Sequence, residues 1–299
     1  MKKILLASAA SFAFAGAAAA DITFSGSANV GFGDLVEDDS NATSTSPDYQ
    51  VDDVVMYQNI SLTATMSGET DTGLAFGASI TFRNGDDLDL DAGDLDYDGD
   101  LSTSSFGNIF ISGDWGKLTF DRNGIDNLWN DDFSHDIQYD YSFDAFKFSM
   151  TYDIDGSGDS EEWSAKLSYA LDAFDASLAT DDSGEFDITL GYQITSEIKV
   201  SLTHESDKEE NTLKGVYNDG TFNASLAISD TNDEWDLGLG YTANGITIGA
   251  NYGDMDDPAV AGDESEWDIS AAYDLGGGLT VKAMANESDA YYVGLAMSF

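Results

Sequence analysis

The sequence predicts an all-β protein: a transmembrane antiparallel β-barrel of 16 to 18 strands with short periplasmic turns and longer acidic extracellular loops. Three observations predict it. From Asp21 onward apolar residues recur at every second position, which puts successive side chains on opposite faces of a strand. The apolar face of many segments opens and closes on an aromatic, as two membrane interfaces flanking an apolar band require. The connections between segments also alternate, tight and then long.

The chain divides into a leader, residues 1–20, and a barrel domain, residues 21–299. Lys2 and Lys3 give the leader its positive start, Ile4 to Gly16 its apolar stretch, and Ala18, Ala19 and Ala20 a small-residue cleavage site. After it the longest apolar runs are four residues, as at Val54 to Tyr57, against the roughly 18 to 20 that a spanning helix needs. A membrane span therefore has to be built from strands. The 30 Gly, 2 Pro and 12% aromatic residues, spread at regular intervals, belong to a folded chain rather than a disordered one.

The alternation is clearest in the last nine residues, where Tyr291, Val293, Leu295, Met297 and Phe299 share one face and Tyr292, Gly294, Ala296 and Ser298 the other. The same phase recurs in Trp163, Ala165, Leu167, Tyr169; in Phe186, Ile188, Leu190, Tyr192; in Trp235, Leu237, Leu239, Tyr241; and in Trp267, Ile269, Ala271, Tyr273. Six residues at about 3.3 Å each, tilted by about 40°, separate the end aromatics by about 15 Å along the barrel axis, compatible with belts around an apolar band of about 25 Å. A soluble sandwich also alternates, but its inward face rarely keeps aromatics at both ends of so many strands.

Tight connections fall at Ser67 to Asp71, Gly113 to Gly116, Ala243 to Gly245 and Gly276 to Gly278. Long acidic ones fall at Asp34 to Asp53, Asn84 to Ser105, Asn123 to Asp136 and Tyr252 to Glu266. This is the bacterial outer-membrane arrangement. A barrel of 16 to 18 strands leaves an aqueous channel, whereas eight would be filled by side chains. The expected role is thus passage of ions and small polar solutes through the outer membrane, without cofactor.

Opposite the lipid phase lie Ser, Thr, Gly, Ala, Asp and Lys. Seven of nine mature cations, Arg83, Lys117, Lys147, Lys166, Lys199, Lys214 and Lys282, take this lumenal phase; Arg122 ends a strand and Lys208 sits in a loop. A charge on the lipid face costs about 2 to 4 kcal/mol at the midplane, which alone would turn lysines inward. The functional reading is that these wall cations face loop carboxylates across the pore and orient passing solutes. The natural opposing element is the loop after the fifth strand, with Asp126, Asp131, Asp132 and Asp136, and with Trp129 and Phe133 as packing anchors.

The formal net charge is −46, and −48 once Lys2 and Lys3 are removed with the leader. Nucleic acid is thereby excluded as a natural partner and divalent cations are favoured; solubility or salt adaptation accounts for the same charge. Asp94, Asp96, Asp98 and Asp100, with Gly99 between the last two, match the first half of a calcium loop, but its twelfth position is Ser105 instead of Glu. Asp153, Asp155, Ser157 and Gly158 form a weaker match. Structural calcium, bridging loops or lipopolysaccharide, is the expectation these spacings raise. No cysteine is present, which removes disulfides, thiol nucleophiles and thiolate metal sites. His135 and His204 are the two histidines. His135, between Ser134 and Asp136, reads as a solvated loop residue rather than part of a catalytic triad, because neighbours in an extended chain point apart.

Three stretches resemble Gram-negative porins of the alphaproteobacterial, Rhodobacter-like type: Ile60 to Ser79, Ile109 to Phe120, and Ala271 through Phe299. The resemblance implies a 16-stranded homotrimer whose third loop enters the pore, acidic loop residues facing a basic wall, with Phe299 as an insertion signal. Two features depart from the family pattern: the third loop is only about fourteen residues, and the basic wall is reduced to scattered lysines plus Arg83. The competing class is a non-conducting, calcium-binding or adhesive surface barrel; small lumenal residues such as Gly191, Gly238, Gly240, Ala272 and Gly294, which do little to fill a barrel, weigh against it.

Overall fold

A computed structural model describes residues 21–34, 36–37, 49–50, 54–90, 95–129, 134–154, 162–231, 234–254, 265–287 and 289–299. The leader lies outside the described residues. In chain order the elements are β1 (Asp21–Asp34), β2 (Val36–Glu37), β3 (Tyr49–Gln50), β4 (Val55–Glu69), β5 (Ala75–Leu90), β6 (Leu95–Gly113), β7 (Gly116–Asp126), β8 (Ser134–Phe143), β9 (Phe146–Tyr152) and β10 (Trp163–Leu171). They continue as β11 (Phe174–Asp181), β12 (Phe186–Gln193), β13 (Ile198–Glu205), β14 (Glu210–Asn218), β15 (Phe222–Ser229), β16 (Trp235–Ala243), β17 (Ile246–Asp254), β18 (Ser265–Gly276), β19 (Leu279–Asn286) and β20 (Tyr291–Ser298).

β1 and β4 to β20 pair antiparallel with their neighbours in order, and β1 pairs with both β4 and β20. The sheet therefore closes on itself as an 18-stranded barrel. Closure leaves no edge, so the ladder can satisfy the backbone where lipid offers no hydrogen bonds. At the seam the Phe299 N–H donates to the Gly26 carbonyl at 2.9 Å and the Gly26 N–H returns the bond at 3.2 Å. Eighteen corrects the sixteen implied by the family resemblance: the short segments between 137 and 230 remain separate strands, each paired antiparallel with its neighbours.

The burial pattern is inverted relative to a water-soluble fold. Large apolar side chains such as Phe24, Phe106, Ile109 and Val293 are exposed around the outside, while the most deeply buried set is Tyr57, Tyr292, His135, Asn127, Thr151, Asp181 and Ser164. Aromatics collect at the two ends of the outer face. Trp235 meets Tyr252 at 5.4 Å near the long-loop end, and Phe222 meets Tyr241 at 5.0 Å and Phe146 meets Tyr169 at 4.8 Å near the tight-turn end. These are the belts that the aromatic spacing anticipates.

One connection differs from its expected form. Residues 84–105 read as a long loop, yet β5 runs on to Leu90 and β6 starts at Leu95, with Leu88 opposite Tyr97 and Leu90 opposite Leu95. The period-two pattern persists there beneath a high density of aspartate.

The tight turns are set by side-chain acceptors. In the turn after β14, the Asp219 carboxylate accepts the N–H groups of Phe222 at 2.7 Å and Thr221 at 2.9 Å, and the Tyr217 hydroxyl at 3.0 Å. The Phe222 amide first, then that of Thr221, holds the Asp219 carboxyl below its usual range. A depressed folded-state pKa contributes stability that is present above the unfolded value and is lost as pH falls through the folded one, here below about pH 4. Amide exchange at Thr221 and Phe222, corrected for intrinsic rates, should accelerate as pH is lowered past that point, and Asp219→Ala should bring the acid value to neutral pH.

Candidate functional site

The fifth wall strand leaves the wall. β6 pairs with β7 only as far as Ile109 opposite Phe120, and the β7–β8 register shifts between Phe120 and Ile125. Asn123 sits at φ 52°, a left-handed conformation that Asn tolerates better than most residues. Beyond it Ile125 and Asn127 are buried. The Leu128 N–H donates to Ser164 Oγ at 2.8 Å and Trp129 Nε1 donates to Asp187 Oδ1 at 3.0 Å. Ser164 on β10 and Asp187 on β12 both take the lumenal phase, opposite Trp163 and Phe186. The loop after the fifth strand therefore lies against the inside of the wall, several strands from where it begins.

A polar column holds it there. His135 is fully buried, its Nδ1 is 2.6 Å from Thr151 Oγ1, and Thr151 in turn bonds Ser164, the acceptor for Leu128. The expected solvated histidine is thus a buried structural one: the inward bend of β7 and β8 carries it off the rim and under the loop. His204 lies elsewhere, 3.1 Å from Asn211 Oδ1 and beside the Phe186 ring.

Of the loop carboxylates, Asp136 is almost buried and binds two backbone amides, Asn123 N–H at 3.1 Å and Ile154 N–H at 3.0 Å. It acts as a strut between β7, β8 and the chain after β9 rather than as a free pore charge. Asp126 is exposed at the end of β7, opposite Ser134. Asp131 and Asp132 lie outside the described residues.

The wall cations are distributed rather than clustered. Lys147, Lys166 and Lys214 are exposed and Lys282 is half-buried on their strands. Arg83 borders a recess with Asn29, Asn59, Asn84 and Asp86. Lys117 Nζ stands 5.0 Å over the Phe110 ring. Lys199 pairs with Asp175 at 2.9 Å, across Gly191, where an added Cβ would come within 2.4 Å of the Asp175 carboxylate. Asp175, Asp187 and Ser164 escaped sequence reasoning, and Gly191 was read only as a small lumenal residue; their one signal is a polar or small residue on the lumenal phase, which most lumenal residues share.

The calcium-like spacing takes an extended form. Asp96, Asp98 and Asp100 lie on β6 opposite Asp89, Asp87 and Asp86, and Gly99 is the extra residue where the β5–β6 register shifts, so the run stays within a strand instead of making the sharp turn of a calcium loop; Asp94 lies outside the described residues. Among the described residues no group of three or more histidine or acidic side chains is arranged to hold a metal.

Two substitutions probe this geometry. Trp129→Phe keeps the ring but leaves Asp187 without its indole donor, at a cost of about 1 kcal/mol to the seated loop; single-channel recordings should show added current noise with little loss of thermal stability. Gly191→Val should part Asp175 from Lys199, and the cross-wall ion pair should vanish from spectra of the 15N-labelled lysine ammonium.

A family model described as Gram-negative porin matches residues 7–290. No curated protein matches the sequence. Among solved structures, an engineered Rh. blastica porin aligns with a TM-score of 0.54 at 16% identity, covering 93% of this chain and 100% of its own. A second Rhodopseudomonas blastica porin variant aligns at 0.53 and 16%, and a further porin structure at 0.53 and 17%, both with the same coverage. At these identities the likeness speaks for the barrel fold.

Proposed function

Since the chain belongs to the Gram-negative porin family and forms an outer-membrane channel for passive diffusion, we propose that this channel prefers cations mildly, works as a homotrimer and has no catalytic role. The observation that carries the preference is the charge balance along the path. In residues 21–299, 57 Asp and Glu stand against nine Lys and Arg, a formal −48, and one of those cations, Lys199, is already neutralised by Asp175. Carboxylates around the mouth concentrate cations within a Debye length of about 8 to 10 Å, and the remaining lumenal lysines moderate the effect. Against catalysis stands the histidine of the Ser134–His135–Asp136 run: its ring is buried under the loop and its neighbouring carboxylate is committed to backbone amides. Divalent cations bridging the acidic connections to one another or to lipopolysaccharide belong to the same reading, with no cofactor needed for conduction.

Refolded protein in planar bilayers under a potassium chloride gradient tests it. Stepwise ohmic openings with a reversal potential on the cation side are expected. Lys199→Glu, which also frees Asp175, should move that potential further than Lys208→Glu, whose site is a surface pair with Glu205. A reversal potential at zero or on the anion side would overturn the preference.

A further inference from the structure

Among the described residues the inward loop is one of two elements that leave the wall. β5 keeps an unbroken register with β4 to Asn84, and then Gly85 takes φ 111° in close contact with the Gln58 carbonyl, which an added Cβ would approach to 2.3 Å. Only glycine takes that conformation in that space without strain. At the next residue the chain steps onto the lumenal side of β4: Asn59, which accepts from Asn29 across the lumenal face at 2.9 Å, donates to the Asp86 carbonyl at 3.0 Å. The start of β6 returns alongside β2, with Val36 beside Asp96 and Glu37 beside Tyr97. β2 follows β1 by one residue, so the hairpin has by then passed over β4. β6 also comes against β19, although β5, β4, β1 and β20 stand between them in the wall.

Burial places this crossing on the inside. Tyr57 on β4 and Tyr292 on β20 take the lumenal phase, and each is 1% exposed. Tyr292 lies flat over Gly31 and Gly294, where an added Cβ would meet its ring at 2.5 Å and its hydroxyl at 2.2 Å. A tyrosine on a water-filled wall shows a ring face to solvent; Tyr57 and Tyr292 do not, and the chain beyond Gly85 crosses β4 beside Tyr57, where the Asp86 carboxylate accepts from the Gln58 N–H and its carbonyl from the Asn59 side chain. Asp268 and Asn286, also lumenal and towards the long-loop ends of β18 and β19, are buried on the same side.

We propose that the β5–β6 hairpin beyond Gly85 is a second filter of this channel, folded over one side of its outer mouth, seated on Tyr57 and Tyr292, and met by solutes before the inward loop. The proposal rests on the channel reading above. The hairpin backbone carries Asp86, Asp87, Asp89, Asp96, Asp98 and Asp100, with Asp86 opposite Asp100, Asp87 opposite Asp98 and Asp89 opposite Asp96. Like charges directly opposite weaken a ladder, so the tyrosine seat, more than the hairpin's own pairing, keeps it over the mouth. Solutes enter past the uncovered wall and meet the aspartate-bearing hairpin first, lumenal lysines second.

The test replaces residues 87–98 by an Asn-Gly turn in the full chain and compares it, in planar bilayers, with deletion of the acidic connection 255–264. Freeing about half of the outer opening should raise single-channel conductance by about twofold and reduce the cation preference, with neither change in the control. Unchanged conductance, or an equal rise in both variants, overturns the second filter while leaving the channel intact; a wild-type protein that conducts nothing overturns the channel reading itself. A second test keeps the hairpin intact: the double variant Tyr97→Cys/Asn286→Cys, in a protein without native cysteine, is treated with a short bis-maleimide. An intrachain crosslink is the expected product. A crosslinked dimer would show the hairpin reaching a neighbouring copy and would overturn the proposal.

Discussion

Everything in this barrel follows from the absence of hydrogen-bond partners in hydrocarbon. An unpaired peptide group there costs several kcal/mol, so the ladder must run without interruption around the circumference, and the chain ends must meet. The reciprocal bonds between Gly26 and Phe299 complete that circuit. Once the wall is closed, lipid dictates one face of each strand, and the other face is left free to be chosen for water. The inverted burial follows: phenylalanine and isoleucine stand exposed, while threonine, serine, asparagine and histidine are buried.

The same constraint explains what happens where the chain departs from the wall. β7 gives up its pairing with β6 beyond Phe120 and so forfeits ladder bonds. Side chains replace them: Asp136 takes the amides of Asn123 and Ile154, Asn127 takes that of Trp129, and Ser164 takes that of Leu128. Each acceptor is a short polar side chain at the lumenal phase or within the loop itself. A fully connected polar network of this kind specifies one seat, because any shift leaves a buried donor or acceptor unmatched.

How much of this was legible in the sequence depends on the length scale of the signal. Trp163 to Tyr169 and Trp235 to Tyr241 announce strand, face and belt at once, because a two-residue period is local and the lipid enforces it. The number of strands was bounded but not settled, since segments such as Phe186–Gln193 and Ile198–Glu205 are separated by only four residues and their separateness depends on turns that composition does not mark strongly. His135 was misplaced for a different reason: its burial is created by partners at Thr151 and Ser164, far along the chain and joined only by the fold. The Asp-rich run 86–100 looked like loop because carboxylates mask the alternation of Leu88, Leu90, Leu95 and Tyr97.

Charge order along the path is the last consequence of the closed wall. A lysine cannot point into lipid, so nearly every cation of residues 21–299 is gathered on the lumenal phase, whereas carboxylates accumulate in connections that no lipid restricts. The barrel thus sorts its charges by depth, acidic at the rim and basic within, before any selection for a particular solute. Departures from that sorting carry the information about permeation. Lys199 is cancelled by Asp175 because Gly191 clears a lane between them, and Asp187 is turned to the Trp129 indole rather than to a cation. The lumenal lysines are set apart on different strands among further carboxylates, Asp140 held by Ser149 and Asp268 by Asn251. Such a wall slows anions less than a carboxylate lining would and concentrates them less than an arginine cluster would, which leaves the acidic rim to set the sign of the preference.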